Sequence, residues 1–183
     1  METKFNRQLR FLVYTALSIA IVTLLTLVIR IPSVKGGYIN FGDIAIFIVS
    51  VLIGKESGAL AGGIGSCLAD IISGYAVYAP ATFVIKGVEG FICGLISGRR
   101  RCGEKGIWRL VAAVTVSAVW MAAGYFLFEY KIGDLMFGNS DFGLTTAILN
   151  LPGNIAQGGV SALSAVAFIL TLERTRMFDG RRL

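Results

Sequence analysis

The sequence predicts an all-α integral membrane protein with six transmembrane helices and both termini in the cytoplasm. First, the 183-residue chain is 55% hydrophobic and only 15% charged, whereas soluble domains carry about 25% charged residues. Second, the apolar residues come in long blocks, of the kind that crosses a bilayer. Third, lysine and arginine are distributed very unequally between the segments that join these blocks. Residues 1–183 are therefore expected to form a single six-helix membrane domain.

The apolar blocks place the six spans at about 11–29, 40–54, 57–74, 80–98, 107–130 and 144–172. The first block is expected to be a retained helix, because Arg30-Ile31-Pro32 follows it instead of a small-residue cleavage site. Asp43 is expected to cap the second helix, since aspartate favours that position. Pro80 suits the first turn of the fourth helix, and Pro152-Gly153 is expected to interrupt the sixth.

The basic residues set the orientation of the spans. Thirteen of the 17 lysines and arginines lie on the side of the two termini, three lie on the other side, and Lys86 lies inside the fourth span. Cytoplasmic loops carry the excess of basic residues in membrane proteins. The rule therefore places both termini in the cytoplasm. The chain is expected to be a multi-pass protein of a cell membrane, which we take to be bacterial.

Composition excludes several kinds of chemistry. The chain has no histidine, so Ser-His-Asp and Cys-His catalysis and most zinc sites are ruled out. Its three cysteines, Cys67, Cys93 and Cys102, form no C-x-x-C pair, so no metal and no disulfide framework is expected. No phosphate-binding loop is present. The net charge of +6 belongs to the segments between spans and does not indicate nucleic acid.

Two opposite charges in the fourth span are the first candidate binding residues. Lys86 and Glu89 lie three residues apart, and so share one face of a helix. Charges inside a membrane are costly and usually face protein, water or a ligand. The pair is expected either to bind a ligand or to serve as a neutral structural pair.

Polar and aromatic residues of the other spans are expected at the same depth. Asn150, Asn154 and Gln157 are spaced i, i+4 and i+7, on one face of the sixth span. Because such polar residues fall in the outer half of the bilayer, they favour an outward-facing pocket for a small polar molecule over an ion path. The asparagines are equally compatible with joining helices.

Aromatic residues lie at the same level, and those expected near the pocket are Tyr38, Trp120 and Tyr125. Tyr75 and Tyr78 lie at this level too, and membership of the interfacial aromatic belt is expected for them ahead of stacking on a ligand ring.

Small residues recur at four-residue spacing. Ala16 and Ala20 form such a pair in the first span, and glycines do so in the third and fourth spans. Faces of this kind pack helices, within one chain or between chains. Internal packing is expected for the glycines, and the spacing leaves both possibilities open for the two alanines.

The run GGIGSCLADIISGYAVYAPATFVIKGVEGFICG at 62–94, the GYF at 124–126 and the LPGNIAQ at 151–157 resemble the substrate-binding S components of energy-coupling factor (ECF) transporters. These proteins import vitamins and vitamin precursors. The chain is most similar to the riboflavin-type group, nearest to members proposed to handle hydroxymethylpyrimidine or pyridoxine. Its sixth span reads LPGN, where many riboflavin binders show a Pro-Phe-Asn-type segment, which favours the two smaller ligands over riboflavin.

The resemblance implies a six-helix subunit that binds its vitamin from outside and docks on a transmembrane T component, which couples it to two ATP-binding-cassette ATPases. The chain itself would bind no cofactor, and ATP would be used by the partners. The T component would meet Ala16 and Ala20. The substrate-binding residues would be Lys86, Glu89, Asn150, Asn154, Gln157, Tyr125, Trp120 and Tyr38. An autonomous secondary transporter or channel is the alternative, and a membrane enzyme is disfavoured by the absence of histidine.

Overall fold

The computed structural model describes residues 4–33, 38–98, 106–132 and 143–175, and nearly all of them are helical. Most of the basic loop expected at 99–106, most of the polar loop at 131–143 and the tail from residue 176 lie outside the described residues. Cys102 lies outside them as well.

Helical segments occur in each of the six predicted spans. The α-helices are α1 Lys4–Val28, α2 Gly42–Leu52, α3 Lys55–Leu60, α4 Ser66–Ile72, α5 Ala79–Ser97, α6 Ile107–Leu127 and α7 Leu144–Arg174. A π-helical turn at Ala61–Gly65 joins α3 to α4, and a second one at Phe128–Ile132 extends α6. Pro80 lies in the first turn of α5, as expected.

Four helices of the described part of the chain are long and apolar enough to cross a membrane: α1, α5, extended α6 and α7. Helix α2 has 11 residues. At 1.5 Å per residue it is about 16 Å long, roughly half the thickness of a hydrocarbon core. Six crossings and two cytoplasmic termini therefore stay predictions.

A short β-hairpin interrupts the helical architecture after α1. Strand β1, Arg30–Pro32, pairs antiparallel with strand β2, Tyr38–Asn40, with Arg30 opposite Asn40. The sequence predicts only a loop here, because three-residue strands are too short to show the alternation of apolar and polar residues that indicates a strand. The hairpin satisfies backbone hydrogen bonds at the end of the helix bundle.

The expected interruption of the sixth span at Pro152-Gly153 is wrong. Helix α7 runs unbroken from Leu144 to Arg174 with Pro152 inside it. A proline removes one hydrogen bond from a helix, and the bonds before and after it hold this helix together. A Cβ atom on Gly153 would lie 3.0 Å from Cδ1 of Ile39, in strand β2. The absent side chain at Gly153 thus lets the hairpin pack closely against α7.

Glycines bring α5 into backbone contact with the α3–α4 rod. A Cβ atom on Gly90 would overlap the carbonyl of Gly58, and one on Gly62 would overlap the carbonyl of Lys86. The expectation that these glycines pack helices within the chain is confirmed. Helix α5 also packs against α2 and α6, and α7 packs against α2 and α6, which makes α5 the central helix.

The two alanines of α1 have a different environment. Ala16 and Ala20 are exposed, and the buried residues of α1 lie on its other face. On that face Thr15 forms a 2.8 Å hydrogen bond with Ser57 of α3. The Ala16/Ala20 face therefore remains outside the internal packing among the described residues.

Apolar and polar residues separate along the bundle. The largest apolar cluster combines residues of α2, α5, α6 and α7, among them Phe47, Cys93, Leu110 and Ile169. It lies toward the C-terminal end of α5 and the N-terminal end of α6. The buried charged side chains gather toward the opposite end, under the hairpin.

Candidate functional site: a polar cavity under the hairpin

A cavity of about 40 Å³ lies where the hairpin meets the ends of α4, α5, α6 and α7. This volume holds about three water molecules. Its walls are almost entirely polar or aromatic side chains. They are Ser33, Tyr38, Ile39, Asn40, Asp70, Tyr75, Tyr78, Thr82, Tyr125, Glu129, Asn150, Asn154 and Gln157.

Strand β2 supplies an aromatic wall. The rings of Tyr38 and Tyr75 lie 4.9 Å apart between centroids, and the Tyr38 hydroxyl donates a 2.6 Å hydrogen bond to Oδ1 of Asp70. Burial, followed by the charge of Asp70, raises the pKa of the Tyr38 hydroxyl above its ordinary value. Tyr38 is therefore a hydrogen-bond donor over the whole physiological pH range.

Asp70 lies near the C-terminal end of α4 and is buried, with 5% of its surface exposed. Its Oδ1 accepts from Tyr38, whereas its Oδ2 has no hydrogen-bond partner among the residues that the structure describes. Next to it, Thr82 and Tyr125 share a 3.0 Å hydrogen bond between their hydroxyls. Asp70 thus brings one occupied and one free acceptor to the wall.

Glu129 occupies the matching position at the end of α6. The π-helical turn Phe128–Ile132 carries it into the cavity wall, where 3% of its surface is exposed. Its Oε1 accepts from Nδ2 of Asn150 at 2.8 Å and from the hydroxyl of Tyr78 at 3.3 Å. Its Oε2 is buried and finds no donor within the described parts of the chain.

Two amides of α7 tie the hairpin to the bundle. The Ser33 hydroxyl donates to Oδ1 of Asn150 at 2.7 Å, just beyond β1. The backbone N–H of Asn40 donates to Oε1 of Gln157 at 2.8 Å, and Nε2 of Gln157 donates to Oδ2 of Asp43 at 2.8 Å. Gln157 thereby connects the cavity to the charged cluster beneath it.

That cluster is a buried ion triad. Lys86 pairs with Asp43 and lies 3.3 Å from Oε2 of Glu89, and its Nζ lies 5.6 Å from the ring centroid of Tyr125. The cap expected at Asp43 is wrong, because Phe41 is the residue before the helix and no side chain caps α2. Asp43 instead contributes a second carboxylate to Lys86, so two acids share one ammonium group.

The structure brings five of the eight predicted site residues to the cavity wall. These are Tyr38, Tyr125, Asn150, Asn154 and Gln157. Lys86 and Glu89 lie beneath the wall, in the triad, with 1% and 0% of their surfaces exposed. Trp120 lies on the outside of α6, where its Nε1 donates to the backbone carbonyl of Ile85 at 3.1 Å. A ligand role for any of the eight stays a prediction.

Several wall residues were not among the predicted binding residues. Tyr75 and Tyr78 were assigned to the aromatic belt, yet both line the cavity and Tyr78 is buried. Asp70 and Glu129 are acids within apolar segments, a signal that could have selected them. None of the described residues forms a group of three histidine, cysteine, aspartate or glutamate side chains that could hold a metal ion.

The site as a whole is rich in acceptors. Asp43, Asp70, Glu89 and Glu129 are buried carboxyl groups at one end of the bundle, and Lys86 is the buried ammonium group near them. Fold and site together define a helical membrane protein with a small acidic, aromatic cavity at one end of its bundle.

The chain belongs to the S components of ECF-type riboflavin transporters, since the model of that family matches residues 6–174. The predicted family is thereby confirmed, and the chain is a transport subunit and a multi-pass membrane protein. It is 29% identical to the thiamine precursor transporter HmpT of Lactococcus lactis over 183 residues, covering 100% of this chain and 97% of that protein. An uncharacterised protein of Pyrococcus woesei is 43% identical over 112 residues, which cover 61% of this chain and 72% of that protein.

Proposed function

We propose that this chain is the substrate-binding subunit of an ECF-type importer that captures a vitamin or vitamin precursor from outside the cell. Hydroxymethylpyrimidine or pyridoxine is the favoured ligand, followed by riboflavin. Delivery proceeds through a T component driven by two ATPases, which use the ATP, and this chain binds no cofactor. The observation that carries the proposal is the polar cavity enclosed by tyrosines at one end of the bundle.

The lining suits a small heteroaromatic ring. Tyrosine rings supply faces for stacking, and amide and carboxyl groups supply hydrogen-bond partners for ring edges. The cavity of about 40 Å³ is far smaller than a typical ligand pocket of roughly 300 Å³ or more. A single ring requires less widening than a three-ring flavin. The similarity to a transporter named for a thiamine precursor supports the same choice.

Entry of a ligand requires the hairpin to move away from α7. Three contacts hold it there: Ser33 with Asn150, Asn40 with Gln157, and Ile39 against Gly153. Each hydrogen bond contributes about 0.5–1.5 kcal/mol, so a few such contacts are readily broken and remade. The hairpin is the element that admits the ligand and then covers it.

The exposed face of α1 is the surface proposed for the T component. Ala16 and Ala20 leave a shallow strip on that helix, flanked by exposed Leu12 and Leu17. Small residues let a second helix approach closely in a membrane.

Ligand binding by the purified protein in detergent tests the proposal. Hydroxymethylpyrimidine, pyridoxine, riboflavin, thiamine, pantothenate and biotin are screened by thermal shift, and any ligand that binds is titrated against Asn150→Ala. Asn6→Ala, on the exposed part of α1, is the matched control. Binding that Asn150→Ala weakens and Asn6→Ala does not supports the site. A folded protein that binds none of the six contradicts the proposal.

Uptake into proteoliposomes tests the coupling. Uptake that needs the T component and hydrolysable ATP supports an ECF subunit, whereas uptake by this chain alone would establish the autonomous transporter instead.

A further inference from the structure

Two carboxyl groups in the cavity wall each keep one oxygen without a donor. Asp70 and Glu129 come from different helices, and both are more than nine-tenths buried. In each, one oxygen accepts a hydrogen bond from the protein and the other has no partner in the part of the chain that the structure describes. Buried acceptors of this kind are uncommon, because leaving them unmet is costly.

Three of the protein's own donors near the cavity are already engaged. The Tyr38 hydroxyl is bonded to Asp70, and the side-chain amide of Gln157 is bonded to Asp43. Lys86 lies below the wall and is held by Asp43 and Glu89. The unpaired oxygens of Asp70 and Glu129 belong to side chains that line the cavity, and the charge of Lys86 is matched by Asp43 and Glu89.

We propose that Asp70 and Glu129 determine ligand specificity by accepting hydrogen bonds from nitrogen-bound hydrogens of a heteroaromatic ligand, supplied by an amino group or a protonated ring nitrogen. This inference rests on the proposed function and names its substrate class: a nitrogen heterocycle that is neutral or cationic and rich in donors. A cationic N–H edge makes charge-assisted hydrogen bonds, which are about twice as strong as neutral ones. A phosphorylated form of the same ring is excluded by repulsion from the two acids.

The test compares matched ligands that differ in one group. Pyridoxamine and pyridoxine share a ring and differ by an amine in place of a hydroxyl. 4-Amino-5-hydroxymethyl-2-methylpyrimidine and its analogue with hydrogen in place of the 4-amino group form a second pair, and the phosphate ester of each pyrimidine is the anionic probe. The amino member of at least one pair is expected to bind about ten-fold more tightly or better, and the phosphate esters are expected not to bind.

Variants assign this preference to the two acids. Glu129→Gln and Asp70→Asn keep the shape of the side chain and replace an acceptor oxygen by an amide nitrogen. Each is expected to remove most of the amino preference measured by titration. Glu56→Gln, on the exposed surface of α3, makes the same chemical change away from the cavity and is expected to retain it.

The outcomes separate this inference from the proposed function. Binding without an amino preference, or a preference that both variants retain, overturns the inference and leaves the S-component function standing. A folded wild-type protein that binds none of these probes overturns both. The comparison of ligand pairs on wild-type protein decides the question even where a variant fails to fold.

Discussion

Lys86 of α5 and Asp43 of α2 form an ion pair that lies entirely inside the protein, directly under the cavity. The two residues are 43 positions apart in sequence, and their pair joins two helices. Glu89 completes the cluster from the same face of α5 as Lys86. The charge of the lysine is thus used to hold helices together at the floor of the site.

Replacing the lysine leaves two buried acids without a counter-charge. Lys86→Met is expected to lower the free energy of unfolding by about 3–5 kcal/mol, the usual cost of removing one partner of a buried pair. Thermal unfolding in detergent measures the loss. In the double variant with Asp43→Asn the loss is expected to be smaller than the sum of the two single losses. Additive losses would show that the two side chains do not interact.

The close glycine contacts between α5 and α3 predict that adding a side chain at Gly90 lowers the stability of the protein. Gly90→Ala places a Cβ atom against the carbonyl of Gly58, and separating the two backbones is expected to cost about 1–3 kcal/mol. Gly159→Ala is the control, because a Cβ atom there meets nothing within 4 Å among the described residues. Equal melting temperatures for the two variants would show that α5 and α3 are not in close contact.

Gln157 anchors the hairpin through its amide. Gln157→Ala leaves the N–H of Asn40 and one oxygen of Asp43 without their partner, at about 1–3 kcal/mol for each buried group. Amide hydrogen exchange of strand β2 is expected to become at least several-fold faster. Gln8→Ala, on the exposed surface of α1, is the matched control and is expected to change nothing. Unchanged exchange in Gln157→Ala would show that the hairpin is held by other contacts.

The exposed alanines of α1 predict a separation of binding from transport. Ala16→Leu and Ala20→Leu enlarge two exposed side chains that lie outside the internal packing of the described helices. Ligand affinity and melting temperature are expected to be unchanged, while co-purification with the T component and ATP-driven uptake are lost. Ala112→Leu on exposed α6 is expected to leave all four properties intact. A complex that forms normally with both α1 variants would place the T component elsewhere.

Tyr38 predicts a pH dependence. Burial and Asp70 raise the pKa of its hydroxyl in the folded protein above the ordinary value of 10.0, so the unfolded chain loses this proton first. The contribution of Tyr38 to stability is therefore constant below about pH 10 and declines at higher pH. The stability difference between wild type and Tyr38→Phe, measured by thermal unfolding across this range, is expected to shrink above that pH. A difference that shrinks in acid instead would point to another group.

Helix positions could be predicted because long apolar blocks are a strong signal. Helices α6 and α7 begin at the predicted residues, Ile107 and Leu144, and α5 is displaced by one residue. The prediction was wrong at Pro152, because a proline signals only a lost hydrogen bond, and surrounding turns decide whether the helix ends. The hairpin was missed because its strands are held by one another and by α7, which no local pattern records.

The grouping of the site's polar residues could be predicted from the sequence, but not the partners with which they pair. Intramembrane polarity correctly gathered Asn150, Gln157 and Tyr38 at one end of the bundle. It could not distinguish a lysine that faces a ligand from one already neutralised by Asp43, because that partner is distant in sequence. Asp43 itself carried a local signal for a helix cap, and the tertiary ion pair prevailed over it.

The length of α7, compared with the thickness of the bilayer, indicates how deep the cavity lies in the membrane. Its 31 residues measure about 46 Å, against about 30 Å of hydrocarbon, so even a tilt of about 40° leaves roughly one turn outside the membrane. The charges of this helix, Glu173 and Arg174, are at its last turn and are stable only among headgroups. Asn150 lies about 34 Å along the helix from Glu173, which places the cavity in the opposite half of the bilayer. A ligand at the proposed site would therefore reach its binding residues from one side of the membrane without crossing the midplane.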